Sequence, residues 1–320
     1  MKYAIGIDLG GTNIKYALVA EDAQIIQEAI MPTQADQGRE VVIKNIETCC
    51  QNLLDYAREH HLEVPGIGLG TPGIIDNGLV LGGAENLPEW ESLPLGGILS
   101  RRLNQAVYVD NDANMMGLGE VRAGNAQAIS DAIFITVGTG IGGAMVLNGK
   151  LYGGHRNRGA EMGHIIVTPN GKTCGCGAKG CLEAHASIPA LIEDYTQLLQ
   201  ETDKAIPQPL NGEVIVAAYH TGQAEAVQAL NQHFDYLAAG ITGFINIFSP
   251  QKIIIGGGIS EAGPFYLQNI TDRVNAQVMK ETSVFTQIET AQLGNKAGIM
   301  GAAALVFDQL AVENTQPCNN

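Results

Sequence analysis

Positive charge is scarce in this chain: 18 Lys and Arg stand against 33 Asp and Glu, a formal net charge of −15 over 320 residues. Affinity for a nucleic-acid backbone comes mainly from Lys and Arg, so that class of partner is excluded. Long apolar runs are missing too. No window reaches 18 apolar residues, and the N-terminal Met1-Lys2-Tyr3-Ala4-Ile5-Gly6-Ile7 meets Asp8 before a leader-like segment develops. Neither a membrane span nor a signal peptide is expected, and the cytoplasm is the expected compartment. The six cysteines do not form a disulfide framework in such a compartment. Cys49 and Cys50 adjoin in a helical stretch and read as small buried residues, and Cys318 lies in a polar tail. What the chain has in excess is glycine, 40 in all, clustered in short loops. An acidic protein with many tight loops would have to hold an anion through backbone N–H groups, helix N-termini or a bound cation.

The length fits two domains of ordinary size. Residues 3–8 form an apolar run, Gly10-Gly11-Thr12-Asn13 a turn, and Tyr16-Ala17-Leu18-Val19 a second run, which predicts a glycine-turned hairpin. The pattern restarts at Ala132–Val137, with Gly138-Thr139-Gly140-Ile141-Gly142-Gly143 as the turn and Ala144–Leu147 as the returning strand. Helical spacing predicts helices over 39–61, 113–123, 224–247 and 297–310, and short apolar runs predict strands at 67–70, 107–109 and 252–255. The echo of one hairpin in the other predicts a duplicated α/β architecture, with two domains meeting at a central cleft that takes the ligand. The simplest boundary is near 118–122. Residues 1–118 plus about 300–320 are expected to form the smaller domain, and 119–299 the larger one.

Three loops could cradle phosphate. In the first, Asp8 ends a strand directly before Gly10 and Gly11. The turn's N–H groups, the Thr12 hydroxyl and the Lys15 ammonium could hold a terminal phosphate, and Asp8 could hold Mg²⁺; the segment is equally readable as a hairpin with an aspartate cap. Gly138-Thr139-Gly140 is the second loop and Gly256-Gly257-Gly258-Ile259-Ser260 the third. Neither has the Gly-Lys-Ser/Thr ending of a Walker loop, and the dinucleotide G-x-G-x-x-G spacing is absent. Asp110-Asn111-Asp112 at a strand end supplies a candidate base for a phosphoryl acceptor, or alternatively a helix N-cap. His164 with Cys174, Cys176 and Cys181, separated by glycines, is a four-ligand zinc set. Such a set leaves no open coordination position, so the zinc is expected to be structural. Glu161 and Glu183 flank it and suit sugar hydroxyls, or are surface acids. His155, His185, His220, His233 and His60-His61 read as structural or surface residues.

Taken together these residues resemble the ROK family (repressors, open reading frames and kinases) within the actin-like, hexokinase-like ATPase superfamily, over nearly the whole chain. Asp8-Leu9-Gly10-Gly11-Thr12-Asn13 is similar to the family's first phosphate loop, and Asn111-Asp112-Ala113-Asn114 to its catalytic motif. Gly138–Gly143 is similar to its glycine signature and Glu161-Met162-Gly163-His164 to its E-x-G-H. Cys174–Glu183 is similar to its C-x-C-G-x-x-G-C-x-E zinc motif. The resemblance implies a duplicated ribonuclease-H-like fold, Mg-ATP as phosphoryl donor, domain closure on sugar, and a homodimer or homotetramer. It implies Asp112 as the base, with Asn111, Glu161, His164 and Glu183 as sugar contacts; Gly73 and Asn86 also match positions near the sugar. His164 is thereby given two tasks, one ring nitrogen on zinc and the other on the sugar. Some family members are repressors with an added DNA-binding domain. With a first strand expected from Tyr3, none is expected here. Gly159-Ala160-Glu161 and Asn86-Leu87-Pro88-Glu89-Trp90 are most similar to members that phosphorylate glucose. Kinases for N-acetylmannosamine, N-acetylglucosamine, fructose or allose share every catalytic residue named, and a sugar sensor without catalysis is the remaining alternative.

Overall fold

The computed structural model of the chain describes residues 1–84, 86–258 and 262–315. Ile259 and Ser260 of the third glycine loop, and Cys318, lie outside the described residues. The chain divides into two compact units: Met1–Ala128 with Ala144–Ala160 and the chain from Gln292 on, and Ile129–Gly143 with Glu161–Ala291. The boundary expected near 118–122 falls inside a helix, and the units part at Ala128.

In the first unit the elements are β1 (Tyr3–Leu9), β2 (Asn13–Ala20), β3 (Ile25–Pro32), α1 (Arg39–Glu59), β4 (Ile67–Thr71), the small hairpin β5 (Ile74–Asp76) and β6 (Leu79–Gly82), α2 (Leu95–Leu103), β7 (Val107–Asn111) and α3 (Asp112–Ala123). The chain then forms β8 (Ala132–Val137), β9 (Ile141–Leu147) and β10 (Lys150–Leu151). The second unit continues with α4 (Leu182–Ala186), α5 (Ile188–Glu201), α6 (Gly212–His220), α7 (Ala224–Phe248), β11 (Lys252–Gly256), α8 (Pro264–Gln277), α9 (Lys280–Ser283) and β12 (Gln287–Thr290). Helix α10 (Ala297–Thr315) returns to the first unit.

Two five-stranded sheets run β3-β2-β1-β4-β7 and β10-β9-β8-β11-β12. Counted in chain order within each sheet, both read third, second, first, fourth, fifth. The first three strands of the first sheet are antiparallel, and β4 and β7 then add in parallel; β11 and β12 add in parallel in the second sheet. This repeated order is the duplicated ribonuclease-H-like, actin-like arrangement, and both predicted hairpins are present.

Alternation along β1 decides what each face of the first sheet carries. Ile5, Ile7 and Leu9 enter a core shared with α1 and α2. Ala4 faces α10, where Ile299, Ala303 and Val306 pack, and a Cβ at Gly6 would meet the Ile299 carbonyl oxygen at 2.0 Å. Continuing the period, Asp8 falls on the α10 face as well. In the second unit, α7 buries Ala226, Leu230, His233, Phe234, Leu237, Ile241 and Ile245. Recurrence at three and four residues is the signature of one apolar helical face.

A carboxylate no sequence pattern pointed to holds the first unit together. Glu120, fully buried near the end of α3, accepts from Gln292 N (2.9 Å), Leu293 N (2.7 Å) and Asn125 N (2.9 Å). It thus ties α3 to the approach to α10. Each buried N–H left without an acceptor costs about 1–3 kcal/mol. Glu120→Ala takes the acceptor from three donors, of which Gln292 is exposed and Asn125 and Leu293 are half-buried, so a loss of about 1–3 kcal/mol is expected, read as a lower thermal midpoint. An unchanged midpoint would contradict this role.

Candidate active site

The first unit's polar residues gather at the carboxyl ends of neighbouring parallel strands, where open α/β sheets bind ligands. Register places Asp8 of β1 beside Gly70 of β4, and Gly70 beside Asp110 of β7. Gly70 lets α3 begin close to the sheet: a Cβ there would lie 2.9 Å from Met115 Cγ and 3.6 Å from Asp112 Cα. Asp112 is the first residue of α3, and its Oδ1 accepts from Ala113 N at 2.9 Å. The capping alternative is answered by Asn111, whose Oδ1 accepts from Ala113 N (2.9 Å) and Asn114 N (3.3 Å). Its Nδ2 donates to Gly73 O at 3.0 Å, which brings Gly73 to this strand end.

Burial pushes the Asp112 carboxyl up from its ordinary range, against hydrogen bonds that favour the anion. Asp8 is pushed up to about 6, first by burial and further by the Asp112 charge, while Lys15 pulls it down. Lys15 stands directly across the ladder from Asp8. Its Nζ lies 3.7 Å from Asp8 Oδ2 and donates to Asn295 Oδ1 at 3.0 Å. Gly298, in the first turn of α10, lies so near that a Cβ would be 2.7 Å from Asp8 Cγ. The turn between β1 and β2 is closed by Gly10 N donating to Asn13 O (3.0 Å) and secured by the Thr33 hydroxyl donating to Gly10 O (2.6 Å). Asn86 is exposed and lies next to Gly11, its Cβ 3.3 Å from where a Gly11 Cβ would sit.

In the second unit the other two glycine loops are neighbours, because β8 and β11 pair from Ala132↔Lys252 to Thr136↔Gly256. Gly257 takes φ +92, with its Cβ position 2.1 Å from Val137 O. Glu183, in the first turn of α4, reaches this region: its Oε2 accepts from Ile141 N at 2.8 Å, just past Gly138-Thr139-Gly140. Its Oε1 lies 3.7 Å from Cys174 Sγ. One carboxylate therefore joins a glycine loop to the cysteine cluster, and its remaining lone pairs can still accept hydroxyl protons. Glu161 is exposed, and its carbonyl accepts from His164 N (3.1 Å) across a single 3₁₀ turn.

His164, Cys174, Cys176 and Cys181 converge with one ligand atom each, all within 4.8 Å of one another. Cys174 Sγ is 3.6 Å from His164 Nδ1, and the Cys176 and Cys181 sulfurs are 3.7 Å apart. A tetrahedral zinc with bonds of about 2.3 Å to sulfur and 2.0 Å to nitrogen separates neighbouring ligand atoms by about 3.5–3.8 Å. The donor set and its spacing fit that ion. Nδ1 of His164 faces the cluster, which leaves Nε2 on the opposite ring edge. His185, read from the sequence as a structural or surface residue, supports this loop. It is buried, lies with its ring centroid 4.4 Å from that of Tyr236 at a 34° tilt, and its Nε2 accepts from Lys172 N at 3.2 Å. Burial holds it below the ordinary histidine range, in the neutral form able to accept.

The sequence pattern of the ROK family matches residues 4–309. The chain belongs to the ROK family. A glucokinase of Thermotoga maritima is 35% identical over 315 residues, 96% of this chain and 98% of that protein. A xylose repressor of Caldicellulosiruptor bescii is 29% identical, covering 96% of this chain and 78% of the repressor. Among solved structures, a ROK hexokinase from Thermus thermophilus superposes with a TM-score of 0.84 at 29% identity, over 97% of this chain and 99% of the other. A ROK glucokinase from Streptomyces griseus in complex with glucose and AMPPNP gives 0.78 at 32%, over 95% and 98%. Every motif that carried the ROK resemblance lies among the described residues. Asn295, which holds Lys15, was outside those motifs; its position near α10 becomes meaningful only once α10 returns to the first sheet. No helix among the described residues of this ROK chain is long and apolar enough to cross a membrane.

Proposed function

We propose that the chain transfers the γ-phosphoryl group of Mg-ATP to a hydroxyl of a hexose, with glucose giving glucose 6-phosphate as the first reading. The observation that carries this is the placing of Asp112, a carboxyl whose pKa burial has raised, and the Asp8–Lys15 loop at the ends of β7 and β1, the strands on either side of β4. Phosphoryl transfer asks for a carboxylate at the acceptor hydroxyl, a cation site, and donors around the phosphates. Asp112 takes the proton of the attacking hydroxyl as its oxygen bonds to phosphorus and the bond to the ADP oxygen breaks. Asp8 holds Mg²⁺ directly or through water. Gly10, Gly11, Thr12, Asn13 and Lys15 hold the terminal phosphate, and Gly138-Thr139-Gly140 and Gly256-Gly257-Gly258 donate to the rest of the nucleotide. Asn111, Glu161, His164 and Glu183, with Gly73 and Asn86, receive the sugar hydroxyls. His164, Cys174, Cys176 and Cys181 hold a structural zinc, which orients the His164 ring.

The similarity to glucokinases over nearly the full length supports glucose. The similarity to xylose repressors supports one further reading, a sugar sensor without catalysis; the presence of Asp112 and the first phosphate loop argues against it. A cytoplasmic homodimer or homotetramer acting on hexose and Mg-ATP, with no nucleic-acid partner, is the corresponding cellular picture. Mg-ATP turnover on glucose, mannose, fructose, allose, N-acetylglucosamine and N-acetylmannosamine tests it, with glucose expected to give the highest kcat/KM. Another preferred hexose would correct the substrate, and no turnover on any would overturn the kinase reading.

A further inference from the structure

Just before the chain leaves the first unit at Ala160, it passes through an expensive conformation. Arg156 and Asn157 are consecutive non-glycine residues in the left-handed region, at φ +56 and +55. Such residues cost free energy and persist where surrounding contacts enforce them, which is most often near functional sites. Three polar contacts enforce this one. Arg156 Nη2 pairs with Asp76 Oδ2 at 3.1 Å. The Asn157 amide donates to Ile75 O at 3.0 Å and to Asp110 Oδ1 at 3.1 Å. That last oxygen is shared, since Asp110 Oδ1 also accepts from Asn111 N (2.7 Å) and from Asn114 Nδ2 (3.0 Å). Asn157 therefore meets the carboxylate that fixes the backbone of Asn111 and the first turn of α3, and Asp112 lies between those two points.

We infer that Asn157, acting through Asp110, is a positioning residue that sets the orientation of the Asn111–Asp112 pair toward the sugar hydroxyl. The inference rests on the kinase reading. Asp110 touches no reacting atom; its carboxylate has one useful orientation only while donors hold it, and the Asn157 amide is the donor contributed from outside β7 and α3. Misplacing a catalytic group by a fraction of an ångström is enough to slow a reaction tenfold or more.

Three variants separate the amide from the backbone shape. Asn157→Gly accepts the left-handed conformation freely but lacks the donor. Asn157→Asp keeps the shape and sets an acceptor against Asp110. Asp110→Asn keeps an acceptor oxygen for Asn157 and serves as the conservative partner. Asn157→Gly is expected to lower kcat on the preferred hexose roughly tenfold, with KM for Mg-ATP changed by less than about twofold. Asn157→Asp is expected to show a similar deficit that narrows relative to the unsubstituted enzyme as pH falls, because two facing carboxyls then share a proton and regain a donor. The double variant Asn157→Gly/Asp110→Asn is expected to lose less than the product of the single losses, since the two act as one unit. A kcat for Asn157→Gly equal to that of the unsubstituted enzyme, or losses that multiply, would overturn the inference while leaving the kinase reading intact. If the unsubstituted protein phosphorylates no hexose, the kinase reading fails first and this assignment falls with it.

Discussion

Asp112→Asn is expected to lower kcat by about 10²–10⁴-fold, the usual worth of a positioned general base, while hexose and Mg-ATP still bind. The substitution is nearly isosteric, and the helix start should survive it, because Asn111 carries the cap and an amide oxygen can still accept from Ala113 N. Turnover measured beside hexose binding by calorimetry makes the check; activity within about tenfold of the unsubstituted protein would remove Asp112 from the role of base. The change has a second signature. In the unsubstituted protein, Asp8 is pushed up to about 6 by burial and by the Asp112 charge. An acid raised this way is anionic above its pKa, so Mg-ATP binding through Asp8 should weaken as pH falls through about 6. Removing the Asp112 charge removes one of the two upward influences. The acid limb of Mg-ATP binding in Asp112→Asn is therefore expected at lower pH. A limb that moves up or stays in place would contradict the coupling.

Stripping the metal is the second large change. The purified protein is expected to contain one zinc per chain by elemental analysis. Chelation, followed by removal of the chelator and restoration of excess Mg²⁺, is expected to raise the hexose KM about 10–100-fold, the usual scale for losing a metal's orienting partner. The cause is electrostatic as well as geometric. Burial, reinforced by the neighbouring Cys176 and Cys181 sulfurs, pushes the Cys174 thiol up to about 12, so its thiolate depends on a nearby cation. Without the ion, three sulfurs and an imidazole within 4.8 Å have no common centre, and His164 loses the constraint on its ring. Re-addition of zinc should restore the KM. A protein with no zinc and an unaltered hexose KM would show that the cluster does not organise the sugar site.

How much of this could be read from residues alone depended on how local the interactions were. The hairpins around Gly10 and Gly138 were legible because strand, turn and strand adjoin in the chain. The cluster of three cysteines and a histidine was legible because the cysteines fall within eight residues and the histidine ten residues earlier. Glu120 was not: the amides it accepts from at Gln292 and Leu293 are 172 and 173 residues away, and nothing local distinguishes it from any other helical glutamate. Asn157 was hidden for the same reason, its partner Asp110 being 47 residues back. Short elements such as β10, with two residues, lack the length for any periodicity to show. The division of labour between Asn111 as cap and Asp112 as candidate base also needed coordinates, since both residue types suit both tasks.

The carboxylate of Glu183 touches two systems at once, the turn at Ile141 and the sulfur of Cys174. In thermodynamic terms such sharing is reciprocal: whatever steadies one side steadies the other by the same factor. Under the proposed function, a nucleotide on the Gly138–Gly140 turn and a metal in the cysteine cluster would each raise the other's affinity through Glu183 by the same factor. The metal loop then serves as more than a scaffold. Under the kinase reading, a chelator of given strength would then strip less metal from nucleotide-bound protein than from free protein.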